Sequence, residues 1–379
     1  MIKNNNIILY DFLLVKGGAE SLTLTLCDTI PNLDLGVAFV DDQVFDESFI
    51  SPKKLKLFST ITKILGWQTL KTAYAFEHKS NDINAYEKVI YSGSNAPLAI
   101  KNRFKTGNIL YCHTPPRFIY DLKQHYLSTI PWWQRILLKG LITYIQPKYE
   151  SAVAKMDLVI ANSKNVQTRL IKHLNTKSIV IYPPCHIEKF QWQSQGDYYL
   201  STARVEPYKR IKLIVEAFKK MPNKKLIVAS GGSQLAQLKL LAKSYKNISF
   251  TGWCEETQLI KLVNNCIATI YLPIDEDFGI SPVESMAAGK PVIGVNEGGV
   301  IETVKDGETG ILCPHNIKVN NIVMAVQKMT PEFSLSLKNN CLQRAELFSA
   351  DIFTEKMQRL LDCDNSDLLS VSAQVDASK

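Results

Sequence analysis

Short, nearly continuous apolar runs alternate along this chain with longer stretches in which apolar residues recur every three or four positions. In the first half the runs are NIILYDF, LGVAFV, KVIYSGS, NILYCHT, DLVIANS and SIVIYPP; in the second they are YYLSTARV, KLIVASGG, ISFTGW, IATIYLP and PVIGVNE. Runs of this kind predict strands buried on both faces. The stretches between them predict amphipathic helices: over 208–221, Ile211, Ile214, Val215, Phe218 and Met221 share one face. Such alternation is the pattern of an α/β protein with parallel sheets covered on both sides. The polar stretch EKFQWQSQGD (188–197) separates two series of runs. Two doubly wound domains are therefore expected, over 1–190 and 191–345. A last long helix, about 334–361, would cross back to the first domain, the returning part lying within 346–363. The tail 364–379 shows no useful periodicity and is expected to be disordered.

Composition changes this picture little. The length of 379 residues suits two cores better than one. No apolar run approaches the roughly 20 residues of a membrane span. The start, MIKNNNIILYDF, lacks the apolar core and cleavage site of a signal peptide, so a cytoplasmic location is expected. The eight cysteines include no CxxC pair, which suits reduced thiols and points to neither a disulfide frame nor a zinc site.

Charge changes it more. The net +8 lies wholly in residues 1–190, with 23 Lys+Arg against 15 Asp+Glu. Within 97–177 the count is 13 against 3. A field of that sign favours an anionic partner: nucleic acid, phospholipid headgroups or a phosphorylated substrate.

Ligands of open parallel sheets bind at the carboxyl ends of the strands, so the residues just after each run hold the candidate chemistry. After the first run, in KGGAESLTL, Gly17 and Gly18 would turn the backbone tightly and present N–H groups at a helix start. An ordinary glycine turn is the plainer account of that dipeptide. Neither GxGxxG nor GxxxxGK[ST] is present there, so a dinucleotide fingerprint and a P-loop are both missing. In STARVEPYKRIKLI, Arg204 is expected to close a strand, with Lys209 and Arg210 in the first turn of the next helix. Cations there oppose the helix dipole by roughly 0.3–1 kcal/mol each, which a bound diphosphate would reverse. The alternative is a solvated basic turn.

In EDFGISPVESMAAGKPVIG, Glu276 and Glu284 stand on either side of a glycine at the mouth of a short helix. Ser281, Pro282 and Glu284 fit a capping box with Ser281 as N-cap. That accounts for Glu284, but not for Glu276 or Gly279. Carboxylates for hydroxyls beside N–H groups for phosphate together describe a nucleotide sugar.

These elements resemble the GT-B glycosyltransferases, specifically the large retaining family 4 that contains many bacterial O-antigen and capsule mannosyltransferases. The resemblance runs over about residues 7–361, on KGGAE, YCHTPPRFIYD, DLVIANS, VIYPP, ARVEPYKR, FTGW and the E-x7-E element EDFGISPVESMAAGKPVI. It implies two Rossmann-like domains facing a cleft, and transfer of a hexose with its configuration retained. Arg204 and Lys209 would hold the diphosphate and neutralise it as it leaves. Glu284 would accept from the ribose. Glu276 would contact sugar hydroxyls beside the N–H groups of Phe278, Gly279 and Ile280. Gly17 and Gly18 would bring backbone to the phosphates, and His113, otherwise a structural strand-end histidine, would face the sugar. Gly252 and Trp253 would lie by the base. No cofactor and no metal are implied, the nucleotide sugar being a substrate. YCHTPPRFIYD looks most like the branch using GDP-mannose; a UDP-hexose or UDP-N-acetylhexosamine is the alternative donor.

The stretch IPWWQRILLKGLITYIQPKYE, with Pro131 at N1, places Trp132 and Trp133 beside Arg135 and Lys139, with Arg117 upstream. A core helix is the plain reading. Paired tryptophans within the basic segment favour an interfacial helix at the inner membrane surface, serving an acceptor carried on a polyprenyl diphosphate. Three other classes compete. A nucleotide-sugar 2-epimerase shares the two-domain fold but not E-x7-E with the Arg/Lys pair. A dinucleotide oxidoreductase lacks its glycine fingerprint. A nucleic-acid-binding protein would need a binding motif that is absent.

Overall fold

The computed structural model describes residues 6–14, 17–41, 43–45, 55–57 and 66–377. Lys16 of KGGAE and the last two residues of the tail lie outside them. The chain divides into two compact units, residues 1–183 with 353–379, and residues 184–352.

The first unit is built on β1 (Asn6–Tyr10), β2 (Leu33–Val37), β3 (Leu55–Leu57), β4 (Val89–Ser92), β5 (Asn108–Cys112), β6 (Leu158–Ala161) and β7 (Ile179–Val180), in the order β3-β2-β1-β4-β5-β6-β7. All neighbours run parallel. The two-residue side-chain period sorts β1 between two cores. Ile7 and Leu9 pack with Phe76, Tyr91 and Tyr149. Ile8 and Tyr10 pack with Leu22, Leu26, Phe353 and Met357. Covering both faces requires crossover helices, and that is why the strands read as unbroken apolar runs.

The C-terminal residues complete the second of these cores. The sequence predicts one helix over about 334–361; the structure has three, Pro331–Ser336, Lys338–Glu346 and Ala350–Asp362. The last break occurs because Cys185 N–H donates to Phe348 O (2.9 Å) and Ala350 N–H donates to Cys185 O (3.1 Å), which takes these groups out of the helical ladder. The tail is also corrected. Leu368–Ala377 is a helix, and its Leu368 and Val375 are buried in the first unit. Ser372, on the same face, breaks the apolar pattern yet is itself buried, with its hydroxyl donating to Leu369 O (2.7 Å). Lys88, almost fully buried, ties this region down by donating to Leu361 O (3.0 Å) and to Cys363 O. A lysine donating to terminal carbonyls is a helix C-cap.

The second unit carries β8 (Tyr198–Ser201), β9 (Lys225–Val228), β10 (Ile248–Phe250), β11 (Ala268–Ile270), β12 (Val292–Val295) and β13 (Gly310–Cys313), again all parallel, in the order β10-β9-β8-β11-β12-β13. The strand order reverses between β8 and β11, as it does between β1 and β4 in the first unit. Loops leaving two adjacent strands toward opposite faces open a crevice at such a point. Among the described residues no helix is long and apolar enough to cross a membrane.

Candidate functional site

At the reversal point of the first unit the chain supplies its own anion. Asp11, just past β1, accepts from the N–H groups of Ser94 (2.9 Å), Asn95 (2.8 Å) and Ala96 (2.8 Å), which follow β4, and from Asn95 Nδ2 (3.1 Å). Burial raises its pKa, against the opposing pull of those donors. A nest of backbone donors that a phosphate could use is thus filled by a carboxylate.

The second unit differs. Where β8 and β11 part, the loops 202–210 and 271–279 approach one another. Lys209 Nζ donates to Glu276 Oε2 (2.5 Å) and to the Tyr271 hydroxyl (3.3 Å). Two glycines set the height of Glu276. Gly299 N–H donates to Glu276 O (2.7 Å). At Gly298, with φ of 59°, an added Cβ would lie 2.6 Å from Glu276 N. Below the pair, Glu297 accepts from Arg210 Nη1 (3.0 Å) and from Asp275 N–H (2.9 Å), fastening the two loops together.

Local geometry corrects two expectations. β8 ends at Ser201, so Arg204 lies in the loop beyond it, where its side chain is exposed. Pro207–Lys209 form a 3₁₀ turn, and Arg210, at φ 55°, is the N-cap of helix Ile211–Lys219. Lys209 therefore reaches Glu276 from a tight turn, not from a helical first turn. The capping box is likewise absent. Gly279, at φ 91°, is the N-cap of helix Ile280–Ala287, so Ser281 and Pro282 fall inside the first turn and Glu284 beyond N3. Pro282 is tolerated there because first-turn N–H groups have no intrahelical partner.

Glu284 therefore has no capping role. Its carboxyl is pushed up to about 7, first by burial and then by Glu256, against the opposing pull of Lys189 and a hydrogen bond from Ser281. The side chain keeps partial contact with solvent. Phe278 is buried against Phe348 (ring centroids 5.4 Å apart), so its side chain belongs to the core. Trp253, by contrast, is 70% exposed. Its indole lies across Gly231, whose carbonyl accepts from Val205 N–H (2.8 Å), and so stands beside the Arg204 loop.

In the first unit, Gly17 is an extended N-cap of helix Gly18–Thr29, not a tight turn. Its lack of a side chain makes room for Glu20, whose Oε2 would sit 2.7 Å from a Cβ there and whose Oε1 accepts from Tyr10 (3.0 Å). His113 follows β5, with Nε2 2.8 Å from Ser92 Oγ and its ring edge-on to Tyr111 (5.3 Å). Burial pushes its pKa down to about 4, so the imidazole is neutral at neutral pH. Arg117 pairs with Asp121 (2.9 Å). Pro131 is the N-cap, one position before the expected N1, of helix Trp132–Val153. Trp132 is 72% and Trp133 51% exposed, with Ile136 and Leu137 also exposed and Lys139 on the surface. Arg135 donates to Ile130 O (3.0 Å). Among the described residues no group of three or more metal-ligating side chains converges.

The residues that sequence reasoning missed are Tyr271, Glu297 and the pair Gly298–Gly299. Tyr271 is hidden within an apolar run. The Gly-Gly step after PVIGVNE was the available signal, since paired glycines at a strand end mark close backbone approach.

Comparison with known proteins places this geometry in context. Residues 185–341 match the family described as "Glycosyl transferases group 1". The chain is 28% identical over 284 residues to the α-1,3/1,6-mannosyltransferase ALG2 of Dictyostelium discoideum, a match covering 62% of this chain and 64% of that protein. It is 26% identical over 206 residues to the serotype-specific mannosyltransferase WbdA of Escherichia coli, covering 50% of this chain and 25% of that one. The chain thus spans just under two thirds of the ALG2 length. Among solved structures it is similar to Alr3699/HepE of Anabaena in complex with UDP and glucose, with TM-score 0.71, 18% identity and coverage of 94% and 98%. The fold is GT-B, as the sequence led us to expect.

Proposed function

We propose that this chain, whose residues 185–341 form a group 1 glycosyl transferase domain, is a retaining hexosyltransferase that moves mannose from GDP-mannose onto a saccharide acceptor. The observation that carries the reading is the Lys209–Glu276 pair at the strand reversal of that domain. A cation and a carboxylate 2.5 Å apart, at the carboxyl ends of β8 and β11, are the two groups a sugar diphosphate needs. Lys209 would leave its carboxylate for the diphosphate, joined there by the exposed Arg204. Glu276 would then accept from hydroxyls of the hexose, and Glu284 from the ribose. Trp253 offers an open aromatic face for the base beside the Arg204 loop.

The chemical step follows from these charges. As the bond from the anomeric carbon to the diphosphate lengthens, negative charge grows on the leaving oxygens, and the Lys209 and Arg204 cations would stabilise it. The acceptor hydroxyl attacks from the same face and passes its proton to the departing phosphate, so configuration is kept. Since the side chains supply the neutralising charge, EDTA should leave the transfer rate unchanged; loss restored by Mn²⁺ or Mg²⁺ would overturn that assignment.

The acceptor is assigned as a saccharide on a polyprenyl diphosphate, reached at a membrane surface by the exposed Trp132 and Trp133. The test is a panel of nucleotide sugars read by thermal shift and by transfer to a lipid-linked acceptor. GDP-mannose should stabilise the protein most and be the donor consumed. Preferential stabilisation by a UDP-sugar would replace the donor, and epimerised nucleotide sugar without transfer would replace the reaction.

A further inference from the structure

Tyr271 stands beside the Lys209–Glu276 pair of the second unit and has no role in the reading above. It directly follows β11, and its N–H continues the sheet by donating to Ile293 O (2.9 Å). Only 6% of the residue is exposed. Its ring passes beneath the Gly279 turn, 3.4 Å from where a Cβ on that glycine would be. The hydroxyl accepts from Lys209 Nζ (3.3 Å) and is hydrogen-bonded to the Glu276 carboxylate. One phenol can do both at once, because its oxygen has lone pairs for the ammonium and its single hydrogen is left for the carboxylate.

We infer that Tyr271 is a positioning residue for transfer, its hydroxyl holding the Glu276 carboxylate in place when the donor diphosphate draws Lys209 away. The inference rests on the glycosyltransferase reading and deepens it. Before donor arrives, Lys209 and Tyr271 both anchor Glu276. A diphosphate carries more negative charge than one carboxylate, so the ammonium turns to it and Glu276 loses its ion pair. A half-buried carboxylate that gives up its ammonium partner gains freedom to swing toward solvent or to take a proton. The tyrosine hydroxyl prevents the swing, because its ring is fixed by strand register and by the Gly279 turn. Burial first, then the neighbouring acids, raise the phenol pKa well above its ordinary value, so the hydrogen stays available throughout the working range. The backbone of Glu276 is held separately by Gly299, so the hydroxyl acts on the side chain alone.

The variant Tyr271→Phe keeps the ring and removes the hydroxyl. Wild type, Tyr271→Phe, Glu276→Gln and the double variant are compared in transfer kinetics, in melting temperature and in binding of the nucleoside diphosphate alone. The expected result is a fall of about tenfold in kcat for Tyr271→Phe, with nucleoside diphosphate binding within about twofold of wild type, since that ligand lacks the sugar Glu276 would meet. In the Glu276→Gln background the same change should cost less than about twofold, because groups acting through one another are non-additive. An unchanged kcat, an equal loss in both backgrounds or a matching loss of nucleoside diphosphate binding would overturn the inference. A melting temperature several degrees lower would do the same, by making the hydroxyl a structural group. Failure of wild type to turn over any nucleotide sugar removes the underlying reading as well; turnover by wild type with Tyr271→Phe unchanged removes this inference alone.

Discussion

At Glu284 burial and a neighbouring acid push in the same direction, and pH dependence follows from the sign. The carboxyl sits at about 7 in the folded protein against an ordinary 4.5. The native state therefore holds the proton more tightly, and this group's stabilisation is full below the ordinary value and lost as pH rises through about 7. Ligand binding runs the other way if Glu284 accepts from a ribose. Nucleoside diphosphate affinity should weaken more steeply as pH falls from about 8 to 6 in wild type than in Glu284→Gln, where only the ligand's own phosphate titrates, as titration calorimetry can read. A second expectation concerns charge: Lys209→Ala should lower kcat by about a hundredfold or more by removing a cation from the departing phosphate. Individual residues were unevenly legible. Glu276 announces itself, because a carboxylate just after an apolar strand run lacks a structural reason to be there, whereas Lys209 and Glu284 each have a plainer account in a basic turn and a helix cap. Tyr271 does not announce itself, since a tyrosine in a buried run has an ordinary packing role available, and only its neighbours reveal what its hydroxyl does.

Elements were legible where side-chain period and burial agree. Eleven apolar runs all contain strands, yet β3 (Leu55–Leu57) and β13 (Gly310–Cys313) went unread. One is three residues in a lysine-broken context and the other starts on glycine, so neither rises above the noise of its surroundings. Helix starts were less legible than strands. Gly279, Ser281 and Pro282 are all plausible opening residues, and the choice fell to Gly279 because the chain must enter at φ 91°. Gly279→Ala should accordingly destabilise the protein by about 1–2 kcal/mol in chemical denaturation through its positive φ. Helix Trp132–Val153 buries Ile142, Ile145 and Tyr149 on one side while Trp132, Trp133, Ile136 and Leu137 meet solvent. Replacing both tryptophans by serine should reduce binding to anionic vesicles at low salt at least tenfold without lowering the melting temperature. Binding that persists would remove the membrane role.

The molecule as a whole was readable as two parallel-sheet units, because each strand series repeats the same crossover logic. The end of the chain was not. Nothing in 364–379 signals that Leu368 and Val375 belong to a core most of whose members were laid down within the first 181 residues. A deletion after residue 363 should therefore lower the stability of the first unit, and one after residue 352, which also removes Phe353, Met357, Leu360 and Leu361, should leave it unable to fold; limited proteolysis distinguishes the two. This discontinuity has a consequence for how the protein is made. The unit that opens the chain is interrupted by 184–352, a continuous stretch that forms the other unit. At a ribosomal pace of about 5–20 residues per second, the leading half waits on the order of ten to thirty seconds with one sheet face only partly covered. The half begun second is finished first, and the half begun first is sealed only once residues 353–375 have been made.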